Sequence, residues 1–188
     1  MKLLVLTAPS GAGKTTIARR LMAEVEGLRF SVSATTRAPR PAEEHGVHYF
    51  FLSPDEFQAR LEAGDFLEHE EVYPGRFYGT LRQEVERLAV AEGVRAVVLD
   101  IDVKGALNVK RLYGDRALTL FVAPPSLAAL ADRLHARGTE TAEQVALRLE
   151  RAEMEIGYAG EFDAAVVNDD LDTAVAEVVA QTRAFLDS

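Results

Sequence analysis

The sequence predicts an α/β fold: a parallel sheet with helices on both faces. Two observations carry this prediction. Short apolar runs, Leu3-Leu4-Val5-Leu6 and Ala96-Val97-Val98-Leu99 among them, alternate with longer amphipathic stretches, as strands do when crossover helices bury both of their faces. The first run passes directly through Ala8-Pro9-Ser10-Gly11-Ala12-Gly13-Lys14-Thr15 into Thr16-Ile17-Ala18-Arg19-Arg20-Leu21. Strand, glycine-rich turn and helix in that order form a phosphate-binding loop.

Composition narrows the classes. With 188 residues, 48% of them hydrophobic, one core carrying inserted segments fits better than two independent domains. A net charge of -9 argues against a broad nucleic-acid surface. The chain has no cysteine, which excludes disulfides and thiolate metal sites. His45, His48, His69 and His135 lack ligand-like spacing, so no metal site made of protein side chains alone is expected. There is no signal-like leader and no apolar run of membrane-spanning length, which reads as a soluble cytoplasmic protein.

Taken in order, a helix is expected over residues 14–25, ended by Gly27, then a short strand over 29–33. Residues 34–44 are polar and broken by proline, which reads as a loop leaving the core. A strand resumes over 48–52, Ser53 caps a helix with Pro54 at its first position, and Gly64 closes it. Residues 66–73 and 76–80 flank Pro74-Gly75 as a hairpin, a helix spans 81–91, and an apolar strand over 95–100 ends in Asp100. Helix and strand then alternate: 104–112, 117–122, a helix after Ser126, 142–157, 163–167 and 171–185.

The chemistry begins at the loop. Gly11 and Gly13 let backbone N–H groups turn inward, the new helix adds the positive end of its dipole, Lys14 supplies a mobile cation, and the Thr15 hydroxyl can ligate Mg²⁺. These features suit a nucleoside triphosphate. The usual pattern opens with glycine where this chain has Ala8. Asp100, ending a buried parallel strand, should face the same sheet edge as the loop and enter the Mg²⁺ shell; its alternative is a turn-forming aspartate. Asp102 points to the same side if the strand continues.

Arg37 and Arg40 follow a strand that should end near the loop, and guanidinium forks suit a phosphate monoester; they also read as surface residues. Arg133, Arg137 and Arg148 lie in a late helix–turn–helix segment and read either as a lid that delivers positive charge or as surface partners of Glu140, Glu143, Glu150 and Glu153. Ser33, Tyr49, Glu68, Tyr78 and Thr80 have the chemistry to read a base or grip a phosphate.

Together these stretches resemble the guanylate kinase family along essentially the whole chain. Residues 9–15, 30–40, 78–80, 99–102, 123–126, 137–141 and 167–170 carry the resemblance. It implies a P-loop NTPase-type core (1–33, 81–125 and 159–188), a GMP-binding α+β insertion (34–80) and a helical lid (126–158), converting ATP and GMP to ADP and GDP with Mg²⁺. By matching position, Ser10, Gly11, Ala12, Gly13, Lys14, Thr15 and Thr16, with Arg133, would hold ATP, and Asn168 and Asp169 would lie near the adenine. Ser33, Arg37, Arg40, Tyr49 and Tyr78 would hold the GMP phosphate, while Glu68, Thr80 and Asp102 would read guanine. Lys14, Arg37, Arg137 and Arg148 would serve the reaction itself. Lys104 stands where the family usually has glutamine.

Two competing readings are a non-catalytic interaction module, against which the intact loop argues, and a P-loop kinase for a phosphorylated sugar. Such a sugar kinase would not need Tyr49, Glu68, Tyr78 and Thr80.

Overall fold

The computed structural model describes residues 1–136 and 141–188, with the backbone alone at Tyr73. In chain order these form β1 (Lys2–Thr7), α1 (Lys14–Glu24), β2 (Leu28–Phe30), β3 (Ala34–Thr35), β4 (Phe50–Phe51) and α2 (Pro54–Glu62). Next come β5 (Phe66–Tyr73), β6 (Arg76–Leu81), α3 (Arg82–Ala89), β7 (Ala96–Asp100) and α4 (Val103–Tyr113). The chain finishes with β8 (Ala117–Ala123), α5 (Leu127–Ala136), α6 (Ala142–Gly157), β9 (Ala164–Val167) and α7 (Leu171–Asp187).

The larger sheet is five-stranded and parallel, in the order β2-β7-β1-β8-β9. From central β1 the chain runs outward to β2 and β7, then crosses to β8 and β9 on the other side. That reversal opens a crevice at the carboxyl ends of β1 and β7. Leu4, Leu6, Val98 and Leu120 pack on one face of the sheet against Ile17 and Leu21 of α1 and Val175 and Val178 of α7. On the other face Leu3, Val5, Val97 and Leu99 meet Val85 of α3 and Val109 of α4. β1 is apolar from Leu3 to Leu6 because both of its faces are covered.

A second sheet, β4-β3-β6-β5, is built from the excursion between β2 and β7. It has its own small core of Ala34, Phe57, Phe66 and Leu81, with the Phe57 and Phe66 rings stacked 4.3 Å apart. Two expectations need correction. The stretch after Ser33 was expected to be loop, but Ala34–Thr35 is a strand, pairing with Phe50–Phe51 on one side and Tyr78–Gly79 on the other. Two residues are too few for a readable period, and the strand is held by tertiary contacts, including the Thr35 hydroxyl donating to the Phe77 carbonyl at 3.0 Å. Nor does the strand geometry persist to Asp102: β7 ends at Asp100, and Asp102 caps α4 by accepting from Gly105 N at 3.0 Å.

α2 begins with the expected serine cap and proline, completed by a capping box with Glu56, and ends before Gly64 at φ 75°. Among the described residues no helix is long and apolar enough to cross a membrane.

Candidate active site

A cleft of about 390 Å³ opens between the two sheets. One wall is the phosphate loop. α1 starts at Gly13 (φ 99°) with no side-chain cap and no acid in its first turn, whereas α2, α4, α6 and α7 all have capping side chains. The first N–H groups of α1 are thus left to an anion from outside. Gly13 is required here for two reasons: its backbone is left-handed, and a Cβ would run into Asn168 Nδ2. Asn168, 5% exposed, donates that nitrogen to the Ala12 carbonyl at 2.7 Å and fixes the loop from beneath. Arg133 Nη2 donates to the Asn168 carbonyl at 2.8 Å, tying α5 to the same point.

Lys14 Nζ lies against Asp100 Oδ1 and donates to the Ile101 carbonyl at 3.1 Å, so its charge is parked at the crevice edge. Thr15 and Thr16 line the cleft on the first turn of α1. From above, Arg148 of α6 reaches Ser10 Oγ.

The other wall comes from the second sheet and the β2–β4 connection: Ser33, Arg37, Arg40, Tyr49, Glu68 and Tyr78 all line the cleft. Arg37 is held by Glu43 in a fork, Nη1 to Oε2 and Nη2 to Oε1, each at 2.9 Å, and it lies over the Tyr49 ring at 5.4 Å. Glu43 also accepts from Arg40 N at 2.8 Å. The Arg37 bonds, then the Arg40 N–H, pull the Glu43 carboxyl down to about 2. Burial pushes the Tyr49 hydroxyl up, which keeps it a donor.

Glu68 is 6% exposed on β5. Its Oε1 accepts from Thr80 Oγ1 at 2.6 Å, and its Oε2 abuts Gly105, where a Cβ would collide with it. Burial raises this carboxyl to about 7 against the Thr80 bond, and Asp102 and Glu70 add to the rise. A buried carboxylate with one short hydrogen bond retains unused acceptor capacity.

The cleft thus collects Ser10, Gly11, Gly13, Lys14, Thr15, Thr16, Ser33, Arg37, Arg40, Tyr49, Glu68, Tyr78, Asp100, Asp102 and Arg148. Ala12, Thr80, Arg133, Asn168 and Asp169 do not line it. Thr80 stands behind Glu68, Asn168 and Arg133 behind the loop, and Asp169 is exposed two residues ahead of α7. Arg137 lies outside the described residues. Arg76, Arg151 and Glu155 also line the cleft but escaped the sequence reading. For Arg151 and Glu155 the signal was their helical spacing, three and seven residues beyond Arg148. Lys104, the departure at the start of α4, pairs with Glu70 at 3.1 Å.

A sequence model described as guanylate kinase matches residues 1–184. The chain belongs to the guanylate kinase family. The guanylate kinase of Salinibacter ruber is 62% identical over 186 residues, spanning 99% of this chain and 97% of its own. The guanylate kinase of Porphyromonas gingivalis is 51% identical over 186 residues, 98% of each chain. A crystal structure of guanylate kinase from Anaplasma phagocytophilum, 30% identical, superposes with a TM-score of 0.79 over 100% of this chain and 87% of that one. The P-loop NTPase fold of guanylate kinases is therefore the fold of this chain, a nucleotide-binding transferase.

Proposed function

We propose that the cleft performs the guanylate kinase reaction with ATP on the phosphate-loop wall and GMP on the second-sheet wall. Family membership carries the reaction itself, ATP-dependent phosphorylation of GMP to give ADP and GDP. The observation that supports this division of labour is that Lys14, Arg37 with Arg40, and Glu68, from three separate parts of the chain, converge on one cleft.

On the donor side, Ser10 to Thr16 wrap the phosphates with backbone N–H groups, and Lys14 leaves Asp100 for the β- and γ-phosphates. Asn168 and Arg133 support the loop from behind, with Asp169 at the adenine end. On the acceptor side, Ser33, Arg37, Arg40, Tyr49 and Tyr78 grip the GMP phosphate. Glu68, steadied by Thr80 and flanked by Asp102, accepts from guanine N1–H and the exocyclic amine; adenine presents a bare acceptor at N1 instead. An oxygen of the GMP phosphate forms the new bond to the γ-phosphorus as the bond to ADP breaks. No protein nucleophile is needed, because Lys14 and Arg148 supply charge and position.

Among the described residues no group of three His, Cys, Asp or Glu could hold a metal. The Thr15 hydroxyl and the Asp100 carboxylate on one cleft do fit Mg²⁺, a hard ion that keeps water and phosphate ligands. Thr15 would ligate it directly and Asp100 through water, and when bound it neutralises phosphate charge. In this reading residues 34–80 form the GMP-binding unit, the α5–α6 pair forms the lid, and the enzyme works in the cytoplasm.

The test is ADP release from ATP with GMP, AMP, UMP or a ribose bisphosphate offered separately. GMP should dominate. A preference for the ribose bisphosphate would overturn the acceptor assignment, and no release with any acceptor would favour a binding module.

A further inference from the structure

Two arginines of α6, three residues apart and therefore on one helix face, reach opposite walls of the cleft. Arg148 Nη1 donates to Ser10 Oγ in the phosphate loop, and Arg151 Nη1 donates to the Val72 carbonyl in β5. Val72 is the residue left over where the β5–β6 ladder slips, since Glu71 pairs with Phe77 and Tyr73 with Arg76. Such a bulge disrupts the ladder locally and makes a carbonyl available to an outside donor. Arg151 Nε is held in turn by Glu155 Oε1 at 2.7 Å. Glu155 itself lines the cleft, and burial pushes its carboxyl up while Arg151 pulls it down.

β5 also carries Glu68, on the same strand as Val72. The face of α6 that docks on the donor loop is thereby joined, through one guanidinium, to the strand that holds the acceptor's base. Seating α6 on Ser10 and setting the far end of β5 are mechanically a single adjustment.

We propose that Arg151 is a positioning residue that couples the two nucleotide sites, so that each nucleotide tightens binding of the other through the Val72 bulge. The proposal rests on the assignment of ATP and GMP to the two walls. It requires no contact between Arg151 and either nucleotide.

Calorimetric titration of GMP into the full chain, with and without the magnesium complex of β,γ-imido-ATP, tests it. In the unmodified protein the analogue should tighten GMP binding on the order of tenfold, and the reverse titration should give the same factor. Arg151→Met, which keeps the apolar stem, should bring both factors close to one while leaving GMP affinity without the analogue within about threefold. Arg151→Lys, a donor without the fork, should restore part of the coupling. An Arg151→Met protein that retains the full factor overturns the proposal. So does one that loses GMP affinity equally with and without the analogue, since that marks a direct or purely structural role. If the unmodified protein binds no GMP at all, it is the substrate assignment that fails.

Discussion

The two walls of the cleft are built on opposite plans. The proposed donor wall is mainly one continuous stretch, residues 10–16, which offers backbone N–H groups and is held by the Asn168 amide on Ala12 and by Lys14 against Asp100. On the proposed acceptor wall the candidate binding groups are side chains gathered from β5, β6 and the β2–β4 connection, and several already hold one another: Arg37 with Glu43, Glu68 with Thr80. A backbone cradle recognises what all nucleoside triphosphates share. Base choice requires individually placed side chains, and placing them required a second sheet with its own core.

Removing the mobile cation should give the largest effect and separates chemistry from scaffold. Lys14→Ala is expected to remain folded by circular dichroism while kcat falls on the order of 10²–10³-fold, since a preorganised donor to developing charge is lost. Near-normal turnover at saturating ATP would sink the donor-wall assignment.

The next largest effects divide the arginines. Arg148→Ala should lower kcat by about 10²-fold with little change in GMP affinity, and Arg40→Ala should chiefly raise the Michaelis constant for GMP. Steady-state kinetics in which both variants alter only the acceptor constant would erase the distinction between the walls.

Glu68→Gln replaces an acceptor with a donor where guanine presents N–H groups. GMP efficiency should fall roughly 10- to 150-fold, or about 1.5–3 kcal/mol, while AMP loses nothing comparable. Competition between GMP and AMP measures this, and an unchanged preference would move base reading to Asp102 and Thr80. The same carboxyl predicts a pH dependence. In the proposed reading guanine needs the Glu68 anion, so kcat/KM for GMP should fall as pH drops below about 7, beyond what the titration of phosphate itself near 6 produces. Glu68→Gln should remove that extra fall. Stability runs the other way: the native carboxyl keeps its proton from 4.5 up to about 7 while the unfolded one has lost it, so stability should decline across that window by about 3 kcal/mol and level off above it. Chemical denaturation at several pH values should show a flatter profile for Glu68→Gln.

The smallest effect probes the loop's underside. Asn168→Ala leaves the Ala12 carbonyl without its partner and should raise the Michaelis constant for ATP roughly 2- to 10-fold, with that for GMP unmoved. A selective effect on GMP would show the loop and the acceptor wall to be less separate than their construction suggests.

The contrast between the walls also explains how much was legible beforehand. The large sheet could be read because its central strands β1 and β7 carry continuous apolar runs, and the proposed donor loop because strand, glycines and lysine are contiguous. The acceptor wall was legible as residue types, but its assembly was not. Ala34–Thr35 is too short to show a period, and Asp102 reaches the cleft as a helix cap, not as a strand residue. Glu43 read only as loop polarity, although it orients Arg37. Arg151 and Glu155 were hidden because helical spacing marks a shared face without saying what that face meets. Nor did Asn168 read as a support for the loop, because it stands 156 residues from Ala12 in sequence.

The excursion that forms the second sheet leaves after β2 and returns to β7, and these two strands are hydrogen-bonded neighbours, with Leu28 beside Ala96 and Phe30 beside Val98. Its ends are therefore held close together by the large sheet whether or not the excursion itself is folded, and its small core of Ala34, Phe57, Phe66 and Leu81 is separate from the cores on either side of that sheet. It has the makings of a cooperative unit that opens on its own, below the free energy of global unfolding. Amides of β5 and β6 should then exchange with solvent sooner than those of β1 and β8, and bound GMP should slow that exchange selectively.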